Sequence, residues 1–298
     1  MIHRFTHGAM AAPFDFFVEH DDAQFAGQLC NEAFRAIDRL ETELSRFDPS
    51  TDIAGISQLK PGDAMVLTLD AFECLKTAQL IAADTNGAFD ATIGPVFAAW
   101  RNPDGTPRAP TTEELAAARA RTGWQLLMMD ESSHLVGVRK PGLQIDLGAI
   151  GKGYALDVAA AIFEEWGVTR ALLSAGGSTV LALDPPREKE GWGVNVDRSI
   201  LLRQSAVSGS GPAVQGAHIF DPRTGEPVRG REQVWSRAPG GAWADALSTA
   251  FLVMSDAEIE DYCRQHVEVS CITMSRVDGN SVTKHYNWNT EPSGNKPT

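Results

Sequence analysis

Asp245 and Thr249 stand four residues apart in an apolar, alanine-rich stretch. In a helix that spacing sends a carboxylate and a hydroxyl out of one face, a single turn from each other. Hard oxygen donors of this kind suit magnesium, which takes few ligands from protein and fills its octahedron with water and substrate phosphate. The same spacing also fits an acid that complements the helix dipole and a threonine bonded back to its own helix. Earlier in the chain, QIDLGAIGKGYALD at 144–157 sets a strand end, three glycines and Lys152 immediately before a helix. Backbone amides and a helix dipole there can face an anion. The segment is not a P-loop, which needs Gly-Lys-Ser/Thr after a longer glycine-spaced loop. Lys152 offers either a point charge to phosphate or, as lysines near helix starts usually do, a solvated head.

Three further junctions carry Gly, Asp or His: TNGAFDATIGPV at 85–96, LLSAGGSTV at 172–180 and HIFDPRTGEPV at 218–228. Gly176-Gly177 reads as a tight turn as readily as a phosphate cradle. Asp221-Pro222 with Gly225 is what a type I turn prefers, so Asp221 reads as structural. His218 beside that turn is either a structural residue or a ligand contact, and the other histidines show no informative spacing.

The elements that must carry these residues follow from periodicity. Apolar positions from Phe25 to Leu44 predict a helix within 21–47, ended by Asp48-Pro49. Helices are also predicted over 70–85, from Thr111 (a capping box with Glu114) to Gly123, over 151–166 and over 243–254. Strands are predicted at 124–130, 134–140, 143–147, 170–174, 179–183, 192–196, 204–207 and 269–274. Strands irregularly mixed with helices argue for an α+β fold with mixed or antiparallel sheets and flanking helices, not a doubly wound parallel sheet. Residues 1–286 are expected to form one domain, with room for two intimately packed lobes, and 287–298 a polar tail.

A chain of 298 residues, 43% of them hydrophobic, can bury a sizeable core. Its formal charge of −13 and lack of a basic stripe argue against nucleic acid or an anionic membrane as partner. Cys30, Cys74, Cys263 and Cys271 have no zinc-like spacing and read as reduced, packed thiols. No apolar run reaches the length of a membrane span. The first residues show neither signal peptide nor lipid-attachment cysteine, so the expected compartment is the cytoplasm, or the periplasm for a trimmed chain.

Taken together and in this order, the five motifs closely resemble the ApbE family of FAD:protein FMN transferases, over about residues 10–254. The resemblance implies an ApbE-like (T-fold-like) architecture and magnesium-dependent transfer of FMN from FAD to a threonine of an acceptor protein, with AMP released. It implies that Asp245 and Thr249 hold the metal, with a backbone carbonyl at Ala149 and another at Ser248. It further implies FAD contacts at Asp146, Lys152, Gly176, Gly177, His218 and Ile219, and an FAD-lining element at Ala88, Phe89 and Asp90. Met10 and Phe47 fall where the family touches the flavin. The catalytic set implied is Asp245, Lys152 and His218, with Asp245 or His218 as base. Departures are Phe47 for a tyrosine, which can stack but not donate, Ser57 for an asparagine, and a short segment from Ser205 to His218. A shortened segment would admit water, which makes an FAD pyrophosphatase the first alternative and a non-catalytic FAD-binding protein the second.

Overall fold

The computed structural model describes residues 1–211, 219–277 and 279–288. The chain opens on a hairpin that periodicity alone does not announce. Strands β1 (Ile2–Ala9) and β2 (Ala12–Glu19) pair antiparallel through a two-residue turn at Met10-Ala11. Phe14, Phe16 and Val18 point inward from β2, while β1 lies at the sheet edge and is mostly exposed or half-buried. Helix α1 (Ala23–Glu43) follows, with Asp22 accepting the amides of Gln24 and Phe25 as its N-cap.

Residues 52–138 then add a second, smaller sheet with its helices, continuous with the main core. They hold α2 (Asp52–Ile56), β3 (Ala64–Val66), α3 (Leu69–Asp84), α4 (Gly94–Ala99), α5 (Thr112–Arg119), β4 (Leu127–Asp130) and β5 (Leu135–Val138). The three short strands form their own antiparallel sheet in the order β3-β5-β4. Helix α5 starts at the Thr111/Glu114 capping box read from the sequence, with both reciprocal bonds made.

The remaining elements return to the main sheet. They are α6 (Gly151–Glu165), β6 (Ala171–Ala175), β7 (Thr179–Ala182), β8 (Trp192–Asn195), β9 (Ser199–Leu202) and β10 (Ser205–Ser210). After them come β11 (Arg231–Ala238), α7 (Gly241–Val253), α8 (Asp256–Gln265), β12 (Ser270–Val277) and β13 (Asn280–Tyr286). Eight strands in the order β1-β2-β6-β7-β10-β11-β12-β13 make one antiparallel sheet. Helices α1, α6 and α7 pack on one face over a core that includes Phe16, Ile37, Phe163 and Phe251. The β8–β9 hairpin contributes Trp192 and Leu202 to a second apolar cluster with Val207 and Ile272. The α+β expectation with antiparallel sheets therefore holds.

Some boundaries differ for physical reasons. The segment 143–147 is not a strand: Asp146 N–H donates to the Ala91 carbonyl at 2.7 Å and Gly94 N–H to the Gln144 carbonyl at 3.3 Å, isolated bonds to an irregular loop. Residues 124–126 coil into a 3-10 turn before β4. The β1–β2 hairpin, α2, β3, α4, β9, β11, α8 and β13 are additions to the sequence reading, and α8 carries a second capping box, Ser255 with Glu258. All four cysteines are free and buried, and burial pushes the Cys30 and Cys263 thiols up to about 12. Among the described residues no helix is long and apolar enough to cross a membrane. Most of the expected tail, from Asn289 on, lies outside the described residues.

The Met10-Ala11 turn needs positive φ at both residues, 50° and 54°, as a two-residue hairpin turn with type I′ twist requires. Neither residue is the Asn or Gly that accepts this conformation cheaply, so the turn stores on the order of 1–2 kcal/mol. Replacing Ala11 with Gly should raise the thermal midpoint by about 1–3 °C in calorimetry; an unchanged or lower midpoint would show that the turn carries no such strain.

Candidate functional site

Helix α7 is buried nearly all round, lying between α6 and strands β10 and β11. Its sequence explains how it fits. Gly241 meets Gly153 of α6 so closely that a Cβ built on Gly153 would lie 2.1 Å from the Gly241 carbonyl oxygen. Two glycines thus let the helix backbones touch. At the far end, the Arg231 guanidinium donates to the carbonyls of Phe251 and Met254, which α7 leaves without intrahelical partners, and binds Asp256 at 2.7 Å.

One turn into α7, Asp245 is 4% exposed and its carboxylate is met by polar partners on both oxygens. Its Oδ2 accepts the Gly153 amide at 3.1 Å, an N–H of the first turn of α6 that has no partner within its own helix. Lys152 Nζ stands 3.6 Å from the same oxygen. Oδ1 accepts the hydroxyls of Thr179 at 3.2 Å and Ser208 at 3.1 Å, which are themselves 2.9 Å apart. Ser208 and Ser210 are two apart on β10 and so share a face. Ser210 Oγ lies 2.7 Å from Ser248 Oγ and 3.4 Å from Thr249 Oγ1, and Ser248 donates to the Asp245 carbonyl at 2.8 Å. Asp245 and Thr249 therefore face the same strand, the shared helix face their spacing predicted, and Asp245 lies against the lysine-bearing glycine segment.

The other residues singled out in the sequence sort into three groups. The first surrounds Lys152. A Cβ on Gly176 would lie 3.8 Å from Lys152 Cδ and 3.2 Å from Ala12 Cβ, so the Gly176-Gly177 turn, both residues at positive φ, sits between the lysine and the Met10-Ala11 hairpin turn. Ala149 is half-buried one residue before the N-cap of α6.

The second group opens outward. Asp146 accepts the Gly148 amide at 2.9 Å and pairs with Arg46 at 3.4 Å. Arg46 in turn lies over Phe47, 4.6 Å from the ring centroid, and Phe47 is 82% exposed. Both line an open cleft of about 900 Å³ with Phe97, Arg101, Arg108 and Gln144.

The third group is held inward. Ala88 and Phe89 are core residues. Asp90 accepts the Thr92 amide and hydroxyl at 2.8 and 2.7 Å and the Trp124 amide at 2.8 Å, so its carboxylate pins the 123–124 turn. Burial pushes that carboxyl above its ordinary value despite those donors. Asp221 is likewise occupied, by the amide and guanidinium of Arg223, in line with its structural reading. Ile219 is half-buried against the main core, one residue before Phe220, which bridges to Pro227. His218 lies outside the described residues.

Sequence reasoning passed over Thr179, Ser208 and Ser210. A signal was present for two of them: Ser208 and Ser210 sit two apart on one face of a strand that is buried along its whole length. Arg46 and Asp157 were also missed, although Asp157 closes the 144–157 motif.

The sequence profile of the ApbE family matches residues 10–273. The chain belongs to the ApbE family. A protein of Escherichia coli (strain K12) named FAD:protein FMN transferase is 30% identical over 218 residues, 65% of this chain and 61% of that protein. The matched region thus spans about three-fifths of that relative's length. A Vibrio cholerae protein of the same name is 26% identical over 249 residues, 76% of this chain and 74% of its own. Among solved structures, the ApbE protein of Thermotoga maritima superposes with a TM-score of 0.83 at 26% identity, covering 96% of this chain and 97% of its own. The apo flavinyl transferase ApbE of Pseudomonas stutzeri gives 0.86 at 24% identity, over 96% and 94%.

In this ApbE-family chain the Gly153–Gly241 contact fixes the distance from α6 to Asp245. Gly153→Ala should destabilise the protein by ~3 kcal/mol or more, because the methyl meets backbone that cannot swing aside. Urea denaturation checks this, and a loss below about 1 kcal/mol would mean that the helices part easily.

Proposed function

We propose that this protein transfers FMN from FAD to a threonine hydroxyl of an acceptor protein and releases AMP. What supports the reading is the buried carboxylate of Asp245 set against Lys152, the Gly153 amide and a row of hydroxyls, in a family whose curated relatives bear the name of that reaction.

The donor chemistry fits magnesium. Around Asp245 the available side-chain ligands are carboxylate and hydroxyl oxygens, and among the described residues no cluster of three His, Cys, Asp or Glu forms a complete cage. That is the partial, all-oxygen set expected of an ion that shares its coordination with substrate phosphate. Asp245 and Thr249 would hold it, with the carbonyls of Ala149 and Ser248. The 3.6 Å spacing of Lys152 is too long for a hydrogen bond, so Asp245 Oδ2 keeps acceptor capacity beyond the Gly153 amide. When bound, magnesium would supply charge neutralisation at the phosphate oxygens as a Lewis acid.

The chain's own residues do the rest. Lys152 adds a second positive charge at the mouth of α6, whose dipole favours phosphate at the same end. Thr179 and Ser208 fix the rotation of the Asp245 carboxylate by donating to one oxygen and leaving the other toward α6. The acceptor oxygen attacks the FMN-side phosphorus, the bond to the bridging oxygen breaks, and AMP leaves. Positioning and electrostatics carry such a step. The hydroxyl proton passes to Asp245 or His218. Phe47 offers an exposed ring for stacking the isoalloxazine, without a hydroxyl to bond it.

Intact-mass analysis of an acceptor domain incubated with FAD and magnesium tests the reading: an added FMN mass supports it, and free FMN beside unmodified acceptor means hydrolysis instead. Asp245→Ala should lower transfer by about a hundredfold or more, and full turnover in magnesium would remove the metal assignment. Lys152→Met should cost about tenfold to a hundredfold in rate with FAD still bound. If that variant no longer retains FAD in equilibrium dialysis, Lys152 is a binding residue instead.

A further inference from the structure

Asp157 belongs to none of the sets above. It lies on α6 one turn beyond Gly153, and its two oxygens reach across to the start of α7. Oδ1 accepts the Gly241 amide at 2.6 Å and Oδ2 the Ala242 amide at 2.8 Å. The N-cap position of α7 is Gly240, which has no side chain to do this for itself. Helix α7 is therefore capped by a carboxylate from a different helix.

That cap closes a ring of contacts. Asp157 grips the first two amides of α7, Gly241 lies against the Gly153 backbone, and the Gly153 amide binds Asp245 Oδ2 one turn along α7. Two amides held by one carboxylate fix a helix in rotation as well as position. Rotation matters here, because a carboxylate about 6 Å from a helix axis moves by roughly 1 Å for every 10° of turn. A displacement of that size at a phosphoryl-transfer site costs on the order of a hundredfold.

We infer that Asp157 is a positioning residue, which sets the rotation of α7 and hence the aim of Asp245 at the Lys152–Gly153 segment. Its effect on turnover rests on the FMN-transfer reading, whereas its effect on Asp245 does not. Hydrogen exchange at the Gly153 amide, whose partner is Asp245, reports that aim directly.

Three variants test it: Asp157→Asn, which keeps the shape but turns an NH2 toward one α7 amide; Asp157→Ala; and Asp157→Ala combined with Gly240→Ser. The serine gives α7 a cap of its own, and Gly240 already has the extended geometry of an N-cap, with φ −120° and ψ 159°. In Asp157→Asn, Gly153 protection should fall about tenfold or more. Magnesium affinity by calorimetry should fall about tenfold and kcat about thirtyfold, with KM for FAD within twofold. In the double variant the thermal midpoint should return toward wild type while Gly153 protection and kcat stay low. Recovery of both with the midpoint would reduce Asp157 to an ordinary cap and overturn the proposal. Unchanged Gly153 protection in Asp157→Asn would overturn it as well. A wild-type protein without transferase activity would sink the functional reading and leave the exchange result to decide the role of Asp157.

Discussion

The backbone contact between Gly153 and Gly241 is the constraint on which the site depends. Helices that carry side chains at their crossing keep their axes 8–10 Å apart. Removing both side chains lets α6 and α7 close until an amide of one reaches a carboxylate of the other, as Gly153 N–H reaches Asp245. The same closeness brings Lys152 to 3.6 Å from that carboxylate without extending it into solvent. Glycine lowers intrinsic helix stability by roughly 1 kcal/mol at such positions. Here the loss is offset by the amide–carboxylate bonds that only a close crossing permits.

Burial of a carboxylate is costly unless donors meet it. Asp245 is met from three elements: α6 gives an amide and a lysine, β7 gives Thr179, and β10 gives Ser208. This explains a sheet whose central strands carry hydroxyls where apolar residues would pack better. It also reconciles a net charge of −13 with the anion site proposed above. The global field is diffuse and screened within about 10 Å, whereas a helix end, a lysine and neutral hydroxyls act at contact distance.

Much of this was legible in the sequence. The Asp245/Thr249 spacing, the glycine-lysine segment and the Gly176-Gly177 turn each announce themselves locally, and the fold brings them together around α6 and α7. Tertiary effects were harder to read. The β1–β2 hairpin escaped notice because its turn is Met-Ala instead of Asn-Gly and because its edge strand is mostly exposed or half-buried. Strand β11, with half-buried positions between its buried ones, and α8, whose capping box matches that of α5, were readable and overlooked. Asp90 shows the opposite failure. It stands in a motif associated with a ligand, yet its oxygens are taken by Thr92 and Trp124. A motif reports that a residue matters without distinguishing contact with a ligand from support of the loop beside it.

The site has two halves of different stiffness. Asp245, Thr179, Ser208 and Ser248 sit on helices and strands, buried and hydrogen-bonded to one another. Phe47, Arg46 and the cleft toward Arg101 stand on connecting segments in the open, linked to the inner half through Asp146 and the glycine loop. Phosphoryl chemistry depends on charges held to within fractions of an ångström, and the proposed transfer would fall in the half that cannot relax. On the proposed reaction, a protein substrate would approach from solvent and dock by side chains that adapt, which the outer half offers. The strained Met10-Ala11 turn lies at the seam, beside the Gly176-Gly177 turn and close to Lys152. Its unfavourable backbone persists because the β1–β2 ladder closes directly on it and β6 anchors β2 from the other side, and it keeps the edge of the rigid half in place where the open half begins.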